Sequence, residues 1–234
     1  SCVRAQETHF DTRLNEFVTM AKQVPVLINY SVGKKRFEKT PDEYDLALIE
    51  KINNMEIPYW YPTDELPKGD KTREPIRLGI THVHQFYTRR NLAVLAAISH
   101  KALTSRFNIV FQSINATLTS KIVRYNMGHR GNGPVSGTLY VPSLVAESNV
   151  LNLLIGKQTD FLSVYNKIKN FCGAQINVGS TSDLKNIEEN TIDYIFTDPP
   201  FGGNLNYSEL SFIWEAWLKV FTNQKQEAII SAVQ

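Results

Sequence analysis

Apolar residues recur along the chain in short blocks whose spacing separates helix from strand. In 10–22, Leu14, Phe17, Val18 and Ala21 fall at helical intervals and predict a helix. The apolar run 24–30 is short enough to be a strand. Thr40-Pro41-Asp42-Glu43 reads as a helix start. Thr40 can cap it, Pro41 suits the first helical position and Glu43 completes a capping box. Leu46, Leu48, Ile49 and Ile52 follow on that helix. Residues 57–79 are rich in proline, glycine and aromatics and predict a long ordered loop, a length that is more often functional than incidental. A strong helix is predicted over 89–104, capped by Thr88, with Leu92, Leu95, Ile98 and Leu103 on or near one face. GHRGNGPVSG, residues 128–137, reads as a flexible or tightly turned loop. Residues 139–141 read as a short strand, and Asp160 as the opening of a helix with Phe161, Val164, Ile168 and Phe171 inward.

The last quarter is the most sharply patterned. Residues 175–178 look like a strand. Ile192-Asp193-Tyr194-Ile195-Phe196 is apolar enough to be a strand buried in a parallel sheet. It runs into Thr197-Asp198-Pro199-Pro200-Phe201-Gly202-Gly203. A helix is predicted over 207–220, with Leu210, Trp214, Trp217, Leu218 and Phe221 spaced for one face and both tryptophans in the core. No internal repeat or low-complexity tract interrupts the chain. The pattern as a whole is that of an α/β protein.

Composition narrows the class. With 234 residues, 42% hydrophobic and 21% charged, the chain can bury a core without metals or disulfides. Its two cysteines, Cys2 and Cys172, make neither a disulfide framework nor a zinc spacing and fit a reducing cytoplasm. No apolar run reaches the roughly 18 residues of a membrane span, and the N-terminus carries no signal-peptide pattern. A net charge of +2 argues neither for nor against nucleic acid. Cations gathered on one face could still meet DNA: Lys34, Lys35, Arg36, Arg89, Arg90 and Arg130 are the candidates. Solvated surface positions are the other reading of such short clusters.

Asp198 carries the chemistry. In α/β sheets ligands bind at the carboxyl ends of strands, where Asp198 would sit. Two adjacent prolines fix two φ angles, remove two N–H donors and push their predecessors out of the α region. The corner this implies is rigid, with outward carbonyls. Phe201 adds a flat apolar face, and Gly202-Gly203 admit a ligand close to the backbone. Such a group suits methylation of an exocyclic amine, whose lone pair is delocalised into the base ring. A carboxylate on one N–H, here Asp198, and a carbonyl on the other, here that of Pro199, would localise the lone pair. The same two acceptors would stabilise the positive charge that develops on nitrogen. Phe201 can stack on the base, which a duplex must flip out to present. A plain proline turn ending a core strand is the alternative.

At these residues the sequence resembles a known family. IDYIFTDPPF is similar to the catalytic strand and loop of amino-methylating DNA methyltransferases, whose loop reads (Asp/Asn/Ser)-Pro-Pro-(Tyr/Phe/Trp). The longer run TDPPFGGNLNYSELSFIWEAWL resembles the large bacterial DNA methylases of the adenine or cytosine amino group. Weaker likeness extends upstream through GKKRFEKTPDEYDLALIEKI, GITHVHQFYTRRNLAVL and SGTLYVPSLVAESNV, so most of the chain is covered, but only about the last 60 residues carry motif-grade detail. The resemblance implies a Rossmann-like class I methyltransferase sheet, incomplete in this chain. Residues 1–150 would be a helical, loop-rich insertion or DNA-contacting region, and 151–234 part of the catalytic domain. It implies S-adenosylmethionine as cofactor, DNA as substrate, and restriction or specificity subunits as partners. Asp198, Pro199, Pro200 and Phe201 would be catalytic. Gly202, Asn204 and Tyr207 would line the base pocket, and Asp198, Ser180 and Asp183 would face the cofactor.

Two departures qualify the match. Ser180-Thr181-Ser182-Asp183 stands where the family has Gly-Asp. The family's Asp-Pro-Phe-x-Gly-x-Gly turn is absent, and GHRGNGPVSG lacks the buried strand that precedes such a turn. The chain therefore reads as a fragment whose first motif lies before Ser1. Two further functions stay open: methylation of a guanosine amino group in RNA, where a similar Asp-Pro-Pro-(Tyr/Phe)-Gly loop occurs, and a non-catalytic DNA-binding piece. The continuation Asn-x-Asn-Tyr-Ser-Glu-Leu favours DNA.

The remaining polar and aromatic residues are less specific. His82 and His84 would face one side of a strand; without a third ligand they read as polar or DNA-facing, not as a metal site. Tyr59, Trp60 and Tyr61 could stack on bases, though packing under a loop is the commoner fate. Glu209 reads as a cap or surface position. Cys172 lacks the Pro-Cys setting of carbon methylation.

Overall fold

The computed structural model describes residues 5–102, 107–126, 131–168, 184, 187–198 and 206–223. These residues form a mixed α and β structure of two antiparallel hairpins and seven α-helices. Strands β1 (Gln6–Asp11) and β2 (Glu16–Ala21) pair with each other, as do β3 (Ile28–Val32) and β4 (Lys35–Lys39). Helix α1 (Glu43–Asn53) lies on the surface and α2 (Arg73–Arg77) interrupts the long loop. After a 3-10 turn at Val83–Phe86 come α3 (Arg89–Ala102), α4 (Asn108–Ile114) and α5 (Val150–Ile168). Helices α6 (Tyr207–Leu210) and α7 (Phe212–Leu218) complete the described chain. No described helix is long and apolar enough to cross a membrane.

The helix expected over 10–22 is instead the β1–β2 hairpin. Its helical spacing is a coincidence across a turn. The Asp11 carboxylate accepts from the Arg13 and Leu14 amides at 3.0 and 3.3 Å, and Asn15 takes a left-handed φ of 56°. Flanked by β-branched and aromatic residues, this local closure outcompetes a helix. The strand expected over 24–30 starts four residues later, at Ile28, and turns at Gly33, whose φ of 60° suits a two-residue hairpin loop. On α1 the cap is Asp42 rather than Thr40. Asp42 and Asp45 exchange side-chain to backbone hydrogen bonds at 3.0 Å each, and Lys39 bridges both carboxylates.

Helix α3 follows its prediction, with Thr88 Oγ1 accepting from the Asn91 amide at 3.3 Å. It buries Leu92, Leu95, Ala96 and Ser99, successive positions on one face. Helix α5 begins ten residues before Asp160, where Asn149 Oδ1 accepts from the Asn152 amide at 3.0 Å. Residues 139–141 form no strand, although Leu139 and Val141 are buried. The expected strand at 192–196 is likewise an irregular segment, and Tyr194 and Phe196 are 80% and 81% exposed. A parallel strand is held by neighbours on both edges, and no described strand pairs with this one. The predicted helix over 207–220 is broken at Ser211 into α6 and α7. The strand expected at 175–178 lies outside the described residues.

One core unites these pieces. Residues from the 57–79 loop, the 3-10 turn, α3, α4 and the start of α5 pack with Ile213, Ala216 and Trp217 of α7. The 57–79 loop is ordered as expected because it contributes Ile57, Tyr61 and Leu66 to that core. The β1–β2 hairpin leans on it from outside. The Ala21 amide donates to the Leu78 carbonyl at 2.9 Å, and Gly79, with a φ of 85°, lies so close that a Cβ would overlap the Thr19 carbonyl.

A buried pair ties the turn of this hairpin to the core: His84 Nε2 lies 2.6 Å from Asp11 Oδ2. Burial lowers the pKa of the His84 imidazole below its ordinary 6.5. Burial alone would raise the Asp11 carboxyl, but hydrogen bonds from His84, Arg13 and Leu14 bring it below 3.8. The neutral-pH pair is therefore a carboxylate accepting from a neutral imidazole. Both folded values lie below the unfolded ones, so each group's contribution is present at higher pH and lost on acidification. The urea midpoint should fall as pH drops below about 6.5, and again below about 3.8. His84→Gln, which can still donate to Asp11, should lose the upper step; a variant that keeps it would refute this assignment.

Candidate functional site

Asp198 is the last described residue before the loop, exposed at the end of the irregular 191–198 segment. Pro199, Pro200, Phe201, Gly202 and Asn204 lie outside the described residues, as do Ser180, Asp183 and Arg130. From Asn206 to α7 the chain is tightly held. Tyr207 begins α6 with half of its side chain exposed. Two residues on, Glu209 is buried, which overturns its reading as a cap or surface residue.

Two of the partners of Glu209 lie far away in sequence and one lies three residues before it. One carboxylate oxygen accepts from the Lys71 and Thr72 amides at 2.7 and 3.2 Å, and the other from Asn206 Nδ2 at 2.7 Å. Gly69 packs against the carboxyl group, where a Cβ would overlap it. Thr72 Oγ1 donates to the Pro67 carbonyl at 2.6 Å, closing the loop around the acid. Among the described residues no basic side chain supplies the countercharge; backbone amides do, as in an anion-binding nest. Charge-assisted bonds of this kind contribute about 1.5–3 kcal/mol each. The segment just beyond residues 199–205 is thereby fixed to the 67–72 turn.

Helix α7 makes a second attachment. Trp217 is fully buried, with ring contacts to Phe111, Tyr87 and Trp60 at 5.3, 6.1 and 6.1 Å. Its indole donates to the Tyr87 hydroxyl at 3.0 Å, which donates to the Asn115 carbonyl at 2.7 Å. Burial pushes the Tyr87 phenol far above its usual range, so it remains a neutral donor. The two predicted core tryptophans thus differ in depth: Trp217 is enclosed, whereas Trp214 is half-buried and donates to the Gln112 carbonyl at 3.0 Å.

The aromatic trio of 59–61 also divides. Tyr61 is buried against Arg13 and Tyr59 packs on the core, but Trp60 remains 41% exposed. Lys219 Nζ sits 3.9 Å over the Trp60 ring, an arrangement worth about 0.5–1 kcal/mol at an exposed site. Trp60, Thr63, Asp64, Ala216, Lys219 and Phe221 line a cavity of about 280 Å³. Among these, Lys219 and Asp64 carried no signal in the sequence, because their proximity depends on how α7 docks.

The cations have mixed fates. Lys34, Lys35 and Arg36 stand exposed at the β3–β4 turn. Arg89 donates to the Met55 carbonyl at 2.7 and 3.1 Å, and Arg90 pairs with Glu147 at 2.8 Å. Both arginines therefore serve internal contacts at the start of α3. His82 and His84 lie in and beside a 3-10 turn instead of a strand, and His84 is buried on Asp11. No group of metal-ligating residues gathers among the described residues.

The glycine-rich turn expected for the methionine portion of S-adenosylmethionine is absent from the sequence, and the described glycines differ in their surroundings. Gly69 and Gly79 are filled by protein atoms, and Gly33, Gly131, Gly133 and Gly156 face open space. No protein-family model, curated protein or solved structure matches the chain.

The Glu209 anchor makes a specific energetic prediction. Glu209→Ala should destabilise the protein by about 3 kcal/mol, because it strands buried amides. Gly69→Ala should also destabilise it, but much less when Glu209 is already alanine, since the colliding carboxyl is then gone. A double-mutant cycle by urea denaturation should return a coupling of at least about 1 kcal/mol. Additive costs would show that the two sites are not in contact.

Proposed function

We propose that this chain carries the substrate half of an amino-methyltransferase active site acting on DNA, with adenine as the favoured base. The observation that carries the reading is the run Asp198-Pro199-Pro200-Phe201 and its continuation into the Tyr207-Ser208-Glu209-Leu210 helix. Asp198 is exposed, as a carboxylate that accepts from an incoming amine must be. Its oxygen would take one amino N–H and the Pro199 carbonyl the other, leaving the nitrogen lone pair localised for attack. Placed before the amine arrives, these acceptors act as preorganised electrostatics. Phe201 would stack on the flipped base, with Gly202, Asn204 and Tyr207 around it. Glu209 and Trp217 bear no part in the chemistry; they hold the segment beyond the loop.

S-adenosylmethionine would supply the electrophilic methyl group. Ser180 and Asp183 are its candidate contacts in this chain, and no step is derived through it. The reading implies a Rossmann-like sheet, with 1–150 as the insertion and 151–234 in the catalytic domain. The exposed apolar side chains of Ile192, Tyr194, Ile195 and Phe196 support it, as do Leu151, Ile155 and Leu162 on α5, since surfaces of this kind are usually covered by a partner. A cytoplasmic restriction-modification setting, with restriction or specificity subunits, follows from the same reading. A DNA-binding piece without catalysis is the second reading, supported by the lack of an Asp-Pro-Phe-x-Gly-x-Gly run in the sequence.

Asp198→Ala in the protein that carries this chain should abolish transfer of labelled methyl groups to DNA. Its thermal midpoint should hardly move, because the side chain is exposed. Transfer to tRNA but not DNA would replace the substrate; undiminished transfer to DNA by the variant would overturn the assignment.

A further inference from the structure

The cavity beside Trp60 has a composition that neither the core nor the proposed catalytic loop accounts for. Trp60 and Phe221 are both partly exposed aromatics on its wall, and Thr63, Asp64 and Lys219 add polar groups. About 280 Å³ is close to the lower end of the roughly 300–1,000 Å³ range of small-molecule clefts and suits a single nucleotide better than an extended ligand.

Lys219 provides a separate observation. It terminates α7 with φ 58° and ψ 32°, the left-handed conformation that helix ends normally assign to glycine or asparagine. A lysine there is strained. Its ammonium nevertheless reaches back over the Trp60 ring, into the cavity wall. A cation resting on an exposed aromatic face is held weakly enough to be exchanged for a stacked base. Edge-on contact with the buried Trp217 keeps the Trp60 ring oriented while that exchange occurs.

We propose that this cavity is a nucleotide-binding site, in which a base stacks on Trp60, Lys219 moves to the phosphate and the Asp64 carboxylate accepts from the base's amino group. The phosphate is what selects the ligand. S-adenosylmethionine has no phosphate and carries a net positive charge, with a single carboxylate for Lys219 to meet, so the cofactor is the poorer fit. The nucleotide could be free or part of a strand. The proposal rests on the DNA reading only in naming a strand as the source. In that case the site would grip a nucleotide apart from the one presented to Asp198.

The test titrates the chain with dAMP and with a fluorescent single-stranded octanucleotide, using S-adenosylmethionine as competitor. Wild type should bind both probes. Trp60→Ala should weaken each by about tenfold or more, and Trp60→Phe should restore most of the loss, because the stacking face remains. Lys219→Gly should weaken dAMP binding by about tenfold while leaving the thermal midpoint no lower, since glycine relieves the left-handed strain. If dAMP does not bind, or if Trp60→Ala and Lys219→Gly bind it like wild type, the proposal fails. Competition by S-adenosylmethionine in preference to dAMP also overturns it. Octanucleotide binding that ignores both substitutions would sink this site but leave the DNA reading intact. Binding of dAMP that depends on Trp60, with no octanucleotide binding, would uphold the site and count against DNA.

Discussion

The buried indole of Trp217 is the contact on which the arrangement of the chain turns. It lies among Phe111 of α4, Tyr87 at the head of α3 and Trp60 of the long loop, and its N–H feeds the chain of donors through Tyr87 to Asn115. A buried indole N–H without an acceptor is costly, so the aromatic packing and the hydrogen bond have to be satisfied together. Meeting both conditions admits few orientations of α7. The direction of the segment before it, and of the cavity after it, is set by that constraint.

Glu209 acts on the same segment by different physics. Trp217 contributes area and shape, whereas Glu209 contributes a charge enclosed by backbone amides. A buried carboxylate tolerates few misplacements, because each lost hydrogen bond exposes the full desolvation penalty. The two residues lie eight positions apart, on separate short helices, and clamp the chain to the 67–72 turn and to the α3–α4 core. Short helices such as α6 and α7 are not stable alone, so their geometry here is imposed by packing.

The two hairpins show the opposite regime. Both faces of β3–β4 are largely exposed, with Tyr30 and Phe37 stacked on each other 5.5 Å apart and three cations near the turn. β1–β2 is held from one side, through Asp11, Arg13 and Gly79. Attachment by a few polar contacts makes such an element sensitive to pH in a way the aromatic core is not.

Several features were legible in the sequence because they rest on local physics. The amphipathic period of α3 and its Thr88 cap depend on neighbouring residues alone, whereas the 57–79 loop showed in its composition but owes its order to Ile57, Tyr61 and Leu66 in the core. The failures are equally physical. The spacing of Leu14, Phe17, Val18 and Ala21 was helical, but an Asp11-centred turn lay inside it. A strand pattern at 192–196 specified a preference without supplying the neighbours that a strand needs. Glu209 looked like a surface acid because its amide partners are 137 and 138 positions away, and Lys219 lay beyond recognition because its aromatic partner is Trp60. By itself the sequence determined the amphipathic face and the cap of α3 and marked the 57–79 loop as ordered. The burial of Glu209, the enclosure of Trp217 and the meeting of Lys219 with Trp60 were decided only by tertiary structure, because each requires segments distant in the chain to close on one another.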